Sequence, residues 1–343
     1  MTNDNTTPDF PLLSITSRET INKCKALKLR RDDLFVCSYP KSGTTWTQFI
    51  VLTLLIADKR HRTGEDLAFS HVSDFAPFYD IDAHWETDGD DLVEGVRNNH
   101  ERLGRRVFNT HLRWEMLPKR AEAGVTVGDD RTQQPECGKF IYVTRNLIDV
   151  VASFYHHLSN QKEGQYTDDF ETFAREFMAG TLPFGSALDH LVSFARGFGD
   201  SETRDCRDQS LLLINYERMT TNLRREVLRI IRFLGLSIPD EVLEKDLLPS
   251  FRFDSMARNS DRFQPKSVTW LNGYKFLRRG KVGDGRALMQ ESVGSDGRSL
   301  ICEFDEWIRR SKYCEEVERL LGLDQDDHED NSTTVFLSLV RHD

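Results

Sequence analysis

The sequence predicts an α/β protein with a central parallel sheet flanked by helices. Short β-branched or aromatic runs are each followed by a stretch of helical periodicity, and this alternation is typical of parallel strands joined by helices. No internal repeat is visible, which argues against a solenoid or a propeller. At 343 residues with 38 % hydrophobic residues, the chain is long enough to bury a real core.

The composition excludes several classes of protein. With 30 % charged and 10 % aromatic residues, 21 Gly and 10 Pro, the chain is neither collagen-like, of low complexity nor wholly disordered. The net charge of −10 would repel a polyanion. We therefore expect no nucleic-acid partner, and any anionic ligand needs a local concentration of positive charge.

The six cysteines form no CxxC or Cys/His cluster, so they are expected to be reduced thiols, and we expect no metal site. The N-terminal residues lack a basic segment followed by an apolar one. The longest apolar run, from Phe49 to Ala57, is too short to span a bilayer. These features predict a cytoplasmic protein with no membrane partner.

The first predicted strand, Asp33 to Tyr39, ends in a Pro/Ser/Gly turn and leads into a buried helix from Thr44 to Ala57. Asn146 starts a later helix, and Asp149 three residues on suggests a variant of the capping box. The helix that starts at Asn146 is predicted to end at Ser159. The other predicted strands are Arg106–Thr110, Lys139–Thr144 and Ser210–Asn215, and the other predicted helices are Asp168–Met178, Ser186–Arg196, Asn222–Leu234 and Leu300–Leu321.

The chain is expected to form one main domain. Residues 1–30 are interpreted as a partly disordered N-terminal extension, 31–322 as the domain, and 323–343 as an acidic, solvated tail. Two polar, weakly periodic stretches, Thr87–Asn99 and Ala121–Gly138, are predicted to be loops.

The most informative segment lies where the first strand meets its helix. A lysine, three hydroxyl residues and a glycine fall within five positions there: Lys41, Ser42, Gly43, Thr44 and Thr45. Backbone N–H groups and the positive end of a helix dipole make such a turn an anion site, which favours phosphate or sulfate chemistry. A simple tight turn with a helix N-cap is the alternative. The lysine precedes the glycine, so the turn is not a Walker A loop.

Four segments in the same order resemble the cytosolic sulfotransferases, which use 3′-phosphoadenosine 5′-phosphosulfate (PAPS). They are YPKSGTTW at 39–46, YVTRNLIDVVAS at 142–153, Tyr216-Glu217 with FDSMARN at 253–259, and RRGKVGD at 278–284. The resemblance extends over roughly residues 33–286. It implies the P-loop-NTPase-like sulfotransferase fold, PAPS as co-substrate and no metal.

The resemblance also implies roles for individual residues. Residues 41–45 would hold the 5′-phosphosulfate, and Trp46 and Phe253 would sandwich the adenine, for which flat aromatic faces are suitable partners. Phe251, two residues earlier, is the alternative to Phe253. The 3′-phosphate would meet Arg145, Ser153, Arg278, Arg279 and Gly280, and Tyr216 would hydrogen-bond the nucleotide. Spacing alone, about 12 Å of helix, does not put Ser153 beside Arg145.

His111 follows the second strand directly and matches the family's Thr-His-Leu segment. The resemblance implies that it is the general base for in-line transfer, while Lys41 neutralises the bridging oxygen. Asn109 stands where many relatives carry lysine, so we expect Lys41 to bear more of the charge and catalysis to be slower. Arg279 and Gly285-Arg286 also depart from the usual residues, which affects the packing of their loop.

The acceptor is expected to be a small, apolar molecule with a hydroxyl or amine. Aromatic side chains could line its pocket: Phe75, Phe78, Tyr79, Trp85, Trp114 and Tyr155. Three histidines could line it or pack in the core: His156, His157 and His190. Six others are expected to be solvated: His61, His71, His84, His100, His328 and His342.

No dimerisation motif is recognisable, so a homodimer and a monomer both remain open. Two other functions remain possible from the sequence. A nucleotide kinase or NTPase would also use an anion turn between a strand and a helix. A non-catalytic nucleotide-binding protein would keep Lys41 and Arg145 but tolerate the loss of His111.

Overall fold

The computed structural model describes residues 10–118, 138–199, 211–292 and 298–311. Its sheet contains four strands: Leu34–Ser38 (β1), Val107–Thr110 (β2), Lys139–Thr144 (β3) and Leu211–Asn215 (β4). All neighbours pair in parallel, in the order β2-β1-β3-β4. The predicted parallel sheet is confirmed, and its carboxyl edge brings the ends of the four strands together.

Helices connect the strands and cover both faces. Those before β4 are Arg18–Ala26 (α1), Thr44–Thr63 (α2), Glu94–Leu103 (α3), Leu147–Ser159 (α4), Phe170–Ala179 (α5) and Ala187–Gly199 (α6). After β4 come Tyr216–Thr221, Leu223–Leu234, Asp240–Val242, a π turn at Leu243–Leu247, Leu248–Ser250, Phe253–Arg258, Asp284–Glu291 and Leu300–Arg310. Short 3-10 turns lie at Val72–Asp74, Asp82–His84, Trp114–Met116 and Ser260–Arg262.

β1 is buried along its whole length because both faces of the sheet are covered. Leu34 and Val36 face a cluster built with α2 and the helix Leu223–Leu234. Phe35 faces the opposite cluster, where its ring stacks on Phe108 of β2 at 4.9 Å and on Phe140 of β3 at 5.1 Å. These packed rings lie directly across the strand register and hold the three strands together.

Two boundaries predicted from the sequence were wrong. The stretch Thr87–Asn99 is not a loop throughout, because α3 begins at Glu94 and buries Val96, His100 and Leu103 on one face. These three residues follow helical spacing within an otherwise polar run, which hid the pattern. α2 continues beyond Ala57 and ends at Gly64, whose φ of 75° closes the helix.

Part of the predicted N-terminal extension is folded in the structure. α1 packs on the sheet, and the Cys24 thiol, buried at its centre, donates a hydrogen bond to the carbonyl of Tyr79. Three predicted segments lie wholly or partly outside the described residues. They are the loop Ala121–Gly138 apart from Gly138, residues 312–321 of the predicted helix Leu300–Leu321, and the tail 323–343. Within those residues no helix combines the length and apolarity needed to cross a bilayer.

Candidate active site

The turn between β1 and α2 has an unusual backbone. Lys41 has a φ of 68° and Gly43 one of 103°, both left-handed. A Cβ on Gly43 would stand 2.7 Å from the Tyr216 ring, so only glycine fits this close approach. No side chain caps the start of α2. The N–H groups of its first turn, with the positive end of the helix dipole, are therefore suited to an anion.

This turn opens into a cavity of about 550 Å³ at the carboxyl edge of the sheet. The structure brings almost all the predicted site residues to its wall: Lys41, Gly43, Thr44, Thr45, Trp46, His111, Arg145, Ser153, Tyr216, Phe253, Arg278, Arg279 and Gly280. Ser42 is the exception, since it is buried behind the turn. Ser153 reaches the same cavity as Arg145, which their spacing alone did not require.

Arg145 is held between the turn and an aromatic ring. Its Nη1 donates to the carbonyl of Lys41 at 3.0 Å, and its guanidinium lies 4.3 Å from the centre of the Tyr216 ring. Its Nε is buried without a hydrogen-bond partner among the described residues. An anion in the cavity would satisfy this donor, which costs free energy while it stays unpaired.

The expected capping box at the start of α4 was wrong. Asn146 does cap the helix, accepting from the N–H of Ile148 at 3.0 Å, but Asp149 does not bond back to it. The backbone N–H of Asn146 instead donates to Glu217. Asp149 accepts from the N–H groups of Gly283 and Gly285, both at 2.8 Å. The carboxylate that local spacing assigns to a cap therefore anchors a distant loop.

That loop, residues 278–285, covers one side of the cavity. Both Arg278 and Arg279 form ion pairs with Asp284. Gly280, with a φ of 60°, lies so close to Phe253 that a Cβ there would clash with the ring. A Cβ on Gly285 would clash with the carbonyl of Ile148, so this departure from the usual residue fits the local packing.

Burial distinguishes the two candidate phenylalanines for the adenine site, Phe251 and Phe253. Phe251 is fully buried and packs edge-on against Phe49 at 5.6 Å, whereas Phe253 faces the cavity. Trp46 is fixed by a 2.8 Å hydrogen bond from its indole N–H to the carbonyl of Phe251. Its ring meets Tyr216 edge-on at 5.6 Å. Trp46 and Phe253 thus present two aromatic surfaces to one cavity.

His111 is oriented by its backbone surroundings. Its Nδ1 lies 2.7 Å from the carbonyl of Ser38, so this nitrogen carries the proton and the lone pair is on Nε2. The rings of Phe78 and Phe184 meet it edge-on at 5.0 and 5.4 Å. Burial lowers the pKa of His111 to about 4, so the imidazole is neutral at physiological pH and can accept a proton.

Two buried groups hold the backbone of His111. Asp80 accepts from the N–H of His111 at 2.9 Å and from the hydroxyl of Thr110. Burial raises the pKa of Asp80 to about 7. On the other side, His190 donates from Nε2 to the carbonyl of His111 at 3.0 Å, while its Nδ1 accepts from Tyr142 at 2.8 Å. His190 is therefore a core residue that supports the site and does not line it.

Lys41 projects into the same space as His111. Its Nζ lies 3.2 Å from Nδ1 of His157 and 4.6 Å from the centre of the Phe276 ring. Burial, followed by the positive charges of Arg145 and Arg278, lowers the pKa of Lys41 to about 7. A bound anion would raise it again, since opposite charge favours the ammonium form.

The predicted aromatic acceptor pocket was largely wrong. Phe78 lines the cavity, but the other candidates pack elsewhere. Phe75, Tyr79 and Trp85 are buried in the core, Trp114 packs on Phe140, and Tyr155 packs on Phe170. Large apolar rings are more often core residues than pocket residues, and these five pack in the interior and not around the cavity.

Three histidines expected to be solvated are enclosed. His71 and His84 line the cavity, and His100 is buried beside β2. Each places a ring nitrogen within hydrogen-bond distance of a carbonyl: Gln264 for His71 at 2.9 Å, Phe78 for His84 at 2.6 Å and Val107 for His100 at 3.1 Å. A satisfied ring nitrogen lets an imidazole be buried in a polar stretch of sequence.

Asn109, singled out in the sequence, lies on the cavity wall, where its side-chain amide donates to Gln48 at 3.3 Å. Several other cavity residues, Gln48 among them, were not predicted from the sequence. Phe184, Phe276 and the N-terminal residues Leu13 and Ile15 also line the cavity. Apart from the left-handed Phe184 before a glycine, these residues carry no local pattern that marks a site.

The cavity is chemically suited to an anionic nucleotide. Its wall includes the cationic residues Lys41, Arg145, Arg278, Arg279 and Lys281, in a chain of net charge −10. The Lys41 ammonium has no carboxylate partner among the described residues, whereas Arg278 and Arg279 share Asp284. In that part of the chain, no three His, Cys, Asp or Glu residues are placed to hold a metal ion.

Comparisons with known proteins show the family to which the chain is similar. A family profile described as "Sulfotransferase domain" matches residues 31–309. Sulfotransferase 1E1 of Bos taurus is 28 % identical over 78 % of this chain and 81 % of its own length. Sulfotransferase 1C2 of Rattus norvegicus is 30 % identical over 77 % and 79 %, and luciferin sulfotransferase of Photinus pyralis 27 % over 87 % and 76 %.

Solved structures share the fold. Mouse sulfotransferase SULT7A1, complexed with PAP, gives a TM-score of 0.60 at 24 % identity, covering 91 % of this chain and 95 % of that one. Retinol dehydratase, in a complex with retinol and PAP, gives 0.59 at 19 % identity and covers 86 % of both chains.

Proposed function

This chain belongs to the sulfotransferase family and is a PAPS-dependent enzyme, and from that premise we propose that His111 is the base that activates a small, apolar hydroxyl or amine acceptor. The observation that carries the proposal is the placement of His111. Its proton is on Nδ1, and the cavity it lines also holds the Lys41 ammonium and the start of α2.

The nucleotide half of the cavity is formed by Lys41, residues 43–46, Arg145, Ser153, Tyr216, Phe253 and the loop 278–280. We assign the 5′-phosphosulfate to the turn, where backbone N–H groups and Lys41 converge. The adenine would lie between Trp46 and Phe253. The 3′-phosphate would satisfy the unpaired Nε of Arg145 and draw Arg278 and Arg279 from Asp284.

In the proposed reaction, Nε2 of His111 takes the acceptor's proton as the acceptor oxygen or nitrogen forms its bond to sulfur. The bond between sulfur and the bridging phosphate oxygen breaks, and its electron pair leaves with the phosphate. Lys41 neutralises the charge that develops there. Positioned charge and orientation supply most of the rate in such a transfer, so no covalent intermediate with the protein is needed.

The acceptor half is formed by Leu13, Ile15, Phe78, Phe184 and Phe276. These side chains are apolar, and two of them contact the His111 ring directly. A flat or elongated apolar molecule with one nucleophilic group fits this environment, since burial of its surface would hold it while the polar group meets Nε2.

The test is transfer from ³⁵S-labelled PAPS to a panel of phenols, sterols, aliphatic alcohols and amines, without added metal. We expect labelled product with an apolar member of the panel. We expect His111→Ala to lower kcat by about 10²- to 10⁴-fold, the range for loss of a general base, and to leave PAP affinity within about 3-fold by calorimetry.

His61→Ala is the matched control, since His61 is exposed on α2 and does not line the cavity. It should transfer label at the wild-type rate. Undiminished transfer by His111→Ala would refute the assigned base. Product formed only from charged, hydrophilic acceptors would refute the acceptor class.

A further inference from the structure

We propose that His157 is a positioning residue for Lys41: its neutral imidazole accepts a hydrogen bond from the lysine ammonium and fixes where that charge is presented. This proposal rests on the proposed function, in which Lys41 meets the leaving phosphate. Lys41 Nζ and His157 Nδ1 are 3.2 Å apart, within hydrogen-bond range.

The two side chains approach from different elements. Lys41 extends from the left-handed turn after β1, whereas His157 lies on α4, one helical turn beyond Ser153 and on the same face. Among the described residues, the Lys41 ammonium finds one hydrogen-bond acceptor, His157, and no carboxylate pairs with Lys41. The Phe276 ring, 4.6 Å from Nζ, provides a second, weaker attraction.

Aromatic rings hold His157 in place. Trp270 meets the imidazole at a centroid distance of 5.1 Å and Phe276 at 6.1 Å, both edge-on. Phe276 therefore touches both partners, one through its face and one through its edge. This packing leaves the imidazole oriented with Nδ1 toward the lysine, and no other hydrogen bond of its ring is found within the described part of the chain.

The charges around the pair keep the roles of donor and acceptor distinct. Arg145, Arg278 and the imidazole of His111 face Lys41 and His157 from three other elements. Burial and the nearby Lys41 and His111 hold the pKa of His157 well below its usual range, so the imidazole stays neutral and can accept. Lys41, repelled by two arginines, depends on that acceptor to keep its proton.

His157 takes no part in the bond changes of the transfer. The acceptor's proton goes to His111, the sulfur exchanges its phosphate oxygen for the acceptor atom, and the ammonium of Lys41 meets the departing phosphate. The contribution of His157 is to keep Lys41 protonated and aimed into the cavity. Loss of the imidazole should therefore change the protonation of Lys41 before any substrate binds.

The first experiment measures the pKa of Lys41 by its rate of reaction with acetic anhydride across pH 5–10, read by mass spectrometry in the full chain. We expect His157→Phe to lower that pKa by about one unit, because a hydrogen bond to the charged form is lost. His157→Gln, whose amide oxygen can also accept, should stay near wild type. His156→Phe is the matched control, since His156 is adjacent but does not line the cavity.

The same variants are then assayed for transfer. We expect the alkaline limb of kcat/KM for PAPS to move to lower pH in His157→Phe, with kcat about 10-fold lower and partial rescue in His157→Gln. An unchanged Lys41 pKa in His157→Phe, or an equal change in His156→Phe, would overturn the proposal. The acetylation readout needs no turnover, so a wild-type chain that transfers nothing would defeat the proposed function alone.

A measurement on the wild-type chain covers the case in which His157→Phe fails to fold. ¹⁵N NMR of histidine-labelled protein, with the His157 signal assigned from His157→Gln, reports which ring nitrogen carries the proton. The pairing requires the proton on Nε2 and an unprotonated Nδ1 at neutral pH. A proton on Nδ1 would contradict it.

Discussion

The proposed nucleotide half and the proposed acceptor half of the cavity are built in different ways. The nucleotide half is charged, and its residues lie in short contiguous segments at strand ends, such as the turn from Lys41 to Trp46 and the loop 278–280. The acceptor half is apolar, and its residues come from separate places such as Leu13, Phe78 and Phe184. An anion site needs a specific backbone and specific donors, whereas an apolar wall needs only shape and hydrophobicity.

His111 and Lys41 lie where the two halves meet, so the largest expected effect is at this junction. Lys41→Met keeps the length and removes the charge that faces the leaving phosphate. We expect kcat to fall by about 10²- to 10³-fold, as for loss of one preorganised stabilising group. Steady-state kinetics at saturating PAPS measure it, with exposed, cavity-distant Lys245→Met as the control. A loss confined to the KM of the acceptor would place Lys41 in the wrong half.

The junction also predicts a pH profile. The pKa of His111, lowered to about 4, sets the acidic limb, because protonation below it removes the base. The pKa of Lys41, lowered to about 7 in the free enzyme, sets the alkaline limb, because the ammonium is lost above it. We expect kcat/KM for PAPS to fall about 10-fold per pH unit beyond each limb. A profile that is flat from pH 7 to 10 would contradict the assignment to Lys41.

The same phenylalanine-to-leucine substitution, made once in each half, tests whether nucleotide binding and acceptor binding are independent. Phe253→Leu removes an aromatic face from the nucleotide half, so PAP affinity should fall by about 10-fold while the KM of the acceptor stays constant. Phe78→Leu should do the reverse. Calorimetry with PAP and steady-state kinetics with one acceptor separate the two constants. If both variants change both constants equally, the division of the cavity is wrong.

The smallest expected effect concerns the hydrogen bonds by which Asp80 holds the backbone beside His111. Asp80→Asn keeps the shape of the side chain but weakens its acceptance from both the His111 N–H and the Thr110 hydroxyl. We expect kcat to fall by about 3- to 10-fold with PAP affinity unchanged, since the ring is only slightly displaced. Kinetics and calorimetry on the purified variant measure both. Weaker PAP binding would place Asp80 in the support of the nucleotide half.

The same variant changes the pH dependence of stability. Burial raises the pKa of Asp80 to about 7, above its ordinary value near 3.8, so the fold favours the protonated carboxyl. As pH rises from about 4 to about 7, ionisation of this group destabilises the native chain relative to the unfolded one. The wild type should therefore lose stability against Asp80→Asn over this range in urea titrations. Parallel pH profiles for the two chains would show that Asp80 does not titrate there.

The sequence was sufficient to predict the sheet and most of the residues that line the proposed nucleotide half. Alternating apolar runs located β1 to β4, and the Ser/Gly/Thr turn after β1 predicts an anion site. Local chemistry determines both, because a parallel strand and a helix start impose their requirements on neighbouring residues.

The acceptor half could not be predicted in the same way. Phe184 reaches the cavity only because the segment before α6 packs beside the turn, and no spacing in the sequence records that contact. Asp149 shows the same limit, since a local capping pattern predicted one partner and the fold provides Gly283 and Gly285. Tertiary packing overrides a local preference whenever a distant donor satisfies the same group.

The most direct measurement is a crystal structure of the full chain with PAP and an unreacted acceptor identified by the transfer assay. We expect PAP with its 5′-phosphate at the turn after β1 and beside Lys41, and the acceptor's oxygen or nitrogen within hydrogen-bond reach of His111 Nε2. An acceptor atom that lies beyond reach of His111, or a nucleotide bound away from the turn, would contradict it.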